Sequence, residues 1–273
     1  MIKNWFITGD THGQNETRLK NIKANYPDCL PEETAVIVLG DVGFQYYKNK
    51  KDWKNKHYAS KLGYTIYCIR GNHEDRIENS ETAHRIYDED IDGFVWIEDE
   101  FPNIKYFDDD VSECTINGKS VLIIPGAYSV DKWYRLQNNW QWFAQEQLTD
   151  EEKGFGAWFC KGKTYDFVLS HTCPLSWQPT DLFLNCINQS TVDNSMEVWM
   201  EEIKDTFNWG IWVFGHYHAD RVERPYVEQM YMDYEKLDTL WNRWFDEKTY
   251  AKEWWLPKSP YMTFWDQENK NED

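Results

Sequence analysis

At 273 residues the chain is long enough for one α/β domain with a full core, and its formal charge of -18, from 47 acidic against 29 basic side chains, argues against a long nucleic acid as partner. No stretch approaches the roughly 20 apolar residues of a membrane-spanning helix, and the N-terminus lacks the apolar run of a secretory leader. The six cysteines are dispersed without a Cys-x-x-Cys pair, as reduced core residues are, so a cytoplasmic protein with no membrane attachment is expected.

Residues 5–8 are β-prone and end in Gly9-Asp10-Thr11-His12-Gly13, ahead of a polar helix predicted over 16–25. Asp10 and His12 stand two apart, so one turn can aim both at one point. Residues 34–39 are nearly all apolar, the pattern of a parallel strand buried on both faces, and they deliver Gly40-Asp41-Val42-Gly43. A lysine-rich helix is predicted over 48–61, and the apolar run 64–69 then leads into Arg70-Gly71-Asn72-His73-Glu74. Strands alternating with helices in this way predict a parallel sheet.

Beyond residue 103 the texture changes to short β-prone pieces at 104–107, 111–116 and 120–124, with Asn117-Gly118 as a hairpin turn, and a second sheet is expected to open at residue 104. Residues 128–143 carry Lys132 and Arg135 among several aromatics, as a substrate-facing loop can, and a helix is predicted around 146–153. A strand at 165–169 ends in Ser170-His171-Thr172, a polar loop covers 181–194, and helical spacing links Val198, Met200, Ile203 and Phe207. The last buried strand, 209–214, ends in Gly215-His216-Tyr217-His218. Residues 221–232 alternate as edge strands do, Leu237, Leu240, Trp241, Trp244 and Phe245 trace one helix face, and 269–273 are expected to fray. A single domain over 1–273 is expected, with its core reaching about residue 227 and an aromatic C-terminal extension from about 228.

Five polar blocks thus leave strand-like runs, the place where open α/β sheets carry their sites. They offer two Asp, one Asn and four His as potential metal ligands: Asp10, Asp41, Asn72, His12, His171, His216 and His218. A pair of divalent transition ions about 3.5–4 Å apart needs a shared carboxylate and mixed nitrogen and oxygen donors, and imidazole with carboxylate suits manganese, iron or zinc over calcium. Such a pair clamps a phosphoryl group and acidifies water to hydroxide near neutral pH, which is the equipment for hydrolysing a phosphoester. His57 and His84, outside the blocks, read as ordinary polar residues.

In order and content the five blocks resemble the signature blocks of the calcineurin-like metallophosphoesterase superfamily, and they span Gly9 to His218, about three quarters of the chain. The resemblance implies a four-layer α/β/β/α sandwich with two mixed β-sheets face to face and a dinuclear site at the strand C-termini. It implies that Asp10, His12 and His218 bind one ion, that Asn72, His171 and His216 bind the other, and that Asp41 bridges the two. His73 matches the family's histidine that contacts the phosphate or protonates the leaving oxygen, and Glu74 reads as a buttress for its neighbours.

The activity this implies is metal-dependent hydrolysis of a small phosphomonoester or phosphodiester, nucleotides included, by a metal-bridging hydroxide. A Ser/Thr phosphoprotein phosphatase and a non-catalytic metal-binding regulatory module are the alternatives. Two divalent ions are the expected cofactors, manganese first, then iron or zinc. The first and third blocks are similar to those of Ser/Thr protein phosphatases, but Gly43-Phe44-Gln45-Tyr46 stands where those enzymes carry Asp-Arg-Gly, so the arginine that grips phosphate is missing there. Lys132 or Arg135 is expected to replace it and, with Asn72 and His73, to bind the substrate.

Overall fold

β1 (Asn4–Thr8), β2 (Thr34–Val38) and β3 (Thr65–Cys68) lie side by side in parallel, linked by α1 (Asn15–Asn25) and α2 (Lys50–Ser60), in the computed structural model, which describes residues 1–245. Phe6 pairs with Val36 and Val36 with Ile66, so the three strands end at the same sheet edge. Every β2 side chain is buried, as the run Thr-Ala-Val-Ile-Val requires of a strand covered on both faces.

β4 (Ala83–Asp88), β5 (Gly93–Glu98) and β6 (Ile104–Tyr106) extend this sheet, β6 parallel to β3 and the other two antiparallel beyond it. Residues 104–107 therefore do not open the second sheet. The Ile66 amide donates to Asn103 O at 2.8 Å, and Ile104 packs with Ile66 in one apolar cluster, which ties β6 to β3. Three residues hold too little pattern to specify which sheet they join.

The second sheet begins at β7 (Ser112–Ile116), which forms with β8 (Lys119–Ile124) the hairpin expected at Asn117-Gly118; both turn residues have positive φ, 49° and 72°. α3 (Lys132–Gln137) and α4 (Asp150–Cys160) follow, and α4 starts at 150 because Thr149 and Glu152 cap it reciprocally. β9 (Thr164–Ser170) pairs in parallel with β8, and after α5 (Ser195–Ile203) β10 (Asn208–Phe214) pairs in parallel with β9. β11 (Arg221–Arg224) and β12 (Val227–Gln229) finish that sheet. β13 (Tyr234–Lys236) then returns to pair antiparallel with β1, and α6 (Leu237–Trp244) buries Leu237, Leu240 and Trp241. Of the expected extension, residues 228–229 thus lie in the second sheet, 234–236 in the first, and Met230, Leu237, Leu240, Trp241 and Phe245 in the core, while 246–273, with the expected frayed end, lie outside the described residues.

Side chains alternate between clusters with the strand period of two. Ile7, Ile37 and Tyr67 of the first sheet share one cluster with Val121, Phe167 and Ile211 of the second, so the sheets pack face to face. Their neighbours Phe6, Val36 and Ile66 meet Leu19, Ile22 and Ala59 of α1 and α2. Leu122, Val168 and Trp212 meet Met196, Trp199 and Ile203 of α5. The result is an α/β fold with two mixed sheets. Among the described residues no helix is long and apolar enough to cross a membrane, and no cysteine is paired.

Candidate metal centre

β1, β2 and β3 of one sheet and β9 and β10 of the other each deliver a polar block at their C-terminal ends, and the blocks are laced together by backbone hydrogen bonds. The His12 amide donates to Asp41 O (2.8 Å), the Gly13 amide to Val42 O (3.0 Å) and the Gly215 amide to His171 O (3.0 Å). The turns are tight. His12, Asp41, His216 and His218 are four of the nine described non-glycine residues with positive φ, a concentration of unfavourable backbone typical of functional sites. At Gly40, φ is +105° and a Cβ would stand 2.0 Å from His171 Nδ1, so only glycine lets β2 end against that ring.

Asp10, His12 and His218 form the first group. His12 Nε2 and His218 Nε2 are 2.9 Å apart, and Asp10 Oδ2 lies 3.3 Å from the latter and 3.8 Å from the former. Ligand atoms each about 2.1 Å from one ion, at tetrahedral or octahedral angles, stand about 3.0–3.4 Å apart. Asp10 Oδ1 accepts the His216 amide at 3.0 Å, whereas Oδ2 is buried with no hydrogen-bond partner. Burial pushes the Asp10 carboxyl up, but His218 foremost and then His171 outweigh it and hold it below the usual range.

Asn72, His171 and His216 form the second group. His171 is fully buried and its Nδ1 donates to Leu39 O at 2.7 Å, so in the neutral ring Nε2 presents a bare lone pair. That lone pair faces Asn72 Oδ1 at 2.9 Å, and His216 Nδ1 stands 3.1 Å from the same oxygen. The amide cannot turn to answer it. Asn72 Nδ2 donates to Ser129 Oγ (2.8 Å), whose hydroxyl is committed to Glu146 Oε2 (2.6 Å). Two acceptors held lone pair to lone pair are an arrangement that a cation resolves. Burial first, then His171, lowers His216 to about 3, so its ring is neutral and able to ligate.

Asp41 lies between the groups. Its Oδ1 is 3.7 Å from His171 Nε2 and accepts the His73 amide at 2.8 Å, while Oδ2 is 3.9 Å from His12 Nε2 and from His73 Nε2. Burial raises its carboxyl, but His73, His171 and His12 together hold it well below the usual range. Glu74 accepts the amides of Gly43 (2.9 Å) and Gly71 (3.2 Å), which braces the Asp41 and Asn72 turns from behind. Burial and then the Asp41 charge push Glu74 up to about 8.

The two cations of the 128–143 segment part ways. Arg135 is buried, holds Asp131 through Nε (2.8 Å to each oxygen) and brings Nη2 to the His73 ring, 2.6 Å from Nδ1. Lys132 Nζ instead sits 4.0 Å from the centroid of the Trp142 ring. Burial lowers His73 to about 4, with Asp41 opposing and Arg135 assisting. His57 stacks on Trp53 at 4.6 Å, and His84 lies 3.7 Å from Asp99, both away from the blocks. Ser129 and Glu146 join the site without a motif of their own. The signal for them is β8, whose exit at Ile124 lies beside Ser170 of β9 at the same sheet edge.

A cavity of about 470 Å³ opens at this cluster, with Asp41, Asn72, His73, His216 and His218 at one end and Leu182, Phe183, Leu184, Ile187 and Val192 along its wall. A second, of about 250 Å³, lies on the other side of His73 against Tyr46, Trp140 and Arg135.

The family model of calcineurin-like phosphoesterases matches residues 6–220. No curated protein matches the chain. Among solved structures, phosphopantetheinyl hydrolase from Mycobacterium tuberculosis is similar at 15% identity over 89% of this chain and 93% of its own, with a TM-score of 0.42. A protein of unknown function from Aquifex aeolicus is similar at 14% identity over 62% and 80%, with a TM-score of 0.29. The family match runs through all five blocks, and the grouped His and Asp side chains are those of a divalent metal centre. The chain belongs to the calcineurin-like phosphoesterase family and is a metal-dependent phosphoric ester hydrolase.

Proposed function

We propose that this hydrolase cleaves a small phosphomonoester or phosphodiester at two divalent ions, with manganese the expected metal and iron or zinc the alternatives. Asp10, His12 and His218 would hold one ion, Asn72, His171 and His216 the other, and Asp41 would reach both. The observation that carries this reading is the convergence of ligand-type atoms in both groups: imidazole nitrogens 2.9 Å apart on one side and, on the other, a buried imidazole lone pair opposed to an amide oxygen at 2.9 Å. When bound, such ions supply positive charge to the phosphoryl oxygens and a nucleophilic water at neutral pH.

The protein's own groups do the positioning. Asn72 is oriented through Ser129 and Glu146, so its oxygen faces the ligands. Arg135, anchored by Asp131, supplies the fixed cation beside His73 and would donate to a phosphate oxygen, in the place of the arginine missing after Asp41. His73 is neutral at physiological pH and serves as a hydrogen-bonding contact to the phosphate. Lys132, held on Trp142, has no such position.

The walled cavity supports a small organic ester over a folded phosphoprotein, and the charge of -18 supports the exclusion of long nucleic acid. A cytoplasmic setting fits six cysteines with no disulfide among the described residues. The test is turnover of p-nitrophenyl phosphate and bis-p-nitrophenyl phosphate by protein stripped with chelator and reloaded with manganese. At least one ester is expected to turn over only after reloading. Folded protein that cleaves neither with manganese, iron or zinc would refute the proposal.

A further inference from the structure

The 470 Å³ cavity runs from the metal centre beneath the 181–194 loop, and two of its wall residues, Leu182 and Leu184, are 39% and 60% exposed. Apolar side chains turned to water beside a polar site are usually covered by what the site binds. Glu197, on the first turn of α5, also lines this cavity and is only 3% exposed. Thr172 Oγ1 donates to its Oε1 at 2.7 Å, but Oε2 is buried with no hydrogen-bond partner. Nearby donors are committed elsewhere: Tyr217 OH lies 3.0 Å from Thr172 Oγ1, and Gln178 Nε2 donates to Tyr217 OH at 3.3 Å. A buried carboxylate oxygen left without a donor is costly, and a cavity wall is where a ligand can supply one.

We propose that this cavity selects phosphoesters whose organic arm joins an apolar body to a terminal hydrogen-bond donor, hydroxyl or amine, received by Glu197 Oε2. The inference rests on the phosphoesterase reading and deepens it: the phosphoryl group sits at the ligand cluster, the carbon chain lies along Leu182, Leu184 and Ile187, and the donor ends at Glu197. The alternative role for Glu197 is to position Tyr217, and with it the flanking His216 and His218, through Thr172. A positioning residue would affect every ester alike.

The experiment measures kcat/KM at pH 8.5, above the value of about 7 at which Glu197 gives up its proton, for the full manganese-loaded chain on n-alkyl, ω-hydroxyalkyl and ω-aminoalkyl monophosphates of four, six and eight carbons. At one length a donor-bearing ester is expected to exceed its alkyl counterpart by about tenfold, the worth of one satisfied buried acceptor. A larger gain for the amine or for the hydroxyl supports the inference equally and tells which donor is natural. Glu197→Gln keeps an acceptor for Thr172 but exchanges the free oxygen for an N–H donor, so the preference is expected to fall to about one or invert. Donor-bearing esters no better than alkyl esters at every length in the unmodified protein would overturn the inference, whatever the variant does. An unchanged preference in Glu197→Gln would overturn it too. No turnover of any ester, p-nitrophenyl phosphate included, would remove the underlying reading as well.

Discussion

Asp41 presents one oxygen to His171 of the second group and the other to His12 of the first. Replacing it with Asn would leave a neutral amide between the two proposed cations, which would then repel each other across a buried site. Asp41→Asn is expected to lower kcat/KM on p-nitrophenyl phosphate by at least about a hundredfold and to cut bound manganese below two per chain, read by elemental analysis. Full activity in that variant would contradict the bridging assignment. Arg135, at the His73 ring, would make a different kind of contribution under the same proposal, a fixed charge for the phosphate instead of a ligand. Arg135→Ala should leave metal content intact and lower kcat/KM by about 10- to 100-fold, mainly through KM. An unchanged kcat/KM on every accepted ester would retire its role.

The strand exits make the site possible, because each of these parallel strands ends its buried run with a sharp turn that sets a ligand-type side chain at the shared sheet edge. Gly40 is the strictest of these turns. Gly40→Ala imposes a Cβ both on a φ of +105° and on the His171 ring, so a stability loss of about 2–4 kcal/mol is expected, read as a fall in Tm, together with loss of manganese binding. A variant that keeps the original Tm and binds two ions would show that β2 does not need to end there. Most of this was legible in the chain itself, since long apolar runs such as 34–39 and 209–214 have a strand's length and are followed directly by ligand-type residues. What escaped was what lacks a local pattern. β4, rich in charge at His84, Arg85 and Asp88, hides its alternation at the sheet's edge, and β6 joins the first sheet through Asn103 and Ile104. Ser129 and Glu146 act on Asn72 only through a fold that closes distances of 57 and 17 residues, which no spacing rule encodes.

Packing two sheets face to face gathers ligand-type side chains as far apart in the chain as Asp10 and His218 into one cluster, and it also buries carboxyls that water would otherwise ionise. Burial pushes Glu197 up to about 7 from the 4.5 of an open chain. Between those values the folded state keeps a proton that the unfolded chain has released, so this contribution to stability is complete below pH 4.5 and is lost as pH rises through 7. Glu74, at about 8 through burial and the Asp41 charge, acts in the same sense. His216 and His73 act oppositely, being lowered chiefly by burial to about 3 and about 4, but they do so only below the 6.5 of an open histidine. At pH 6.5 an open histidine is still about half protonated and it is nearly neutral by about pH 7.5, so from 6.5 to 8.5 the histidines regain less stability than the two buried carboxyls lose, and the carboxyls set the sign of the slope. The Tm of the metal-free protein is therefore expected to fall across that interval, and Glu197→Gln, which has no proton to lose, should make the fall shallower. A Tm that rises toward pH 8.5, or an equal slope in the variant, would mean that Glu197 is not held protonated by the fold.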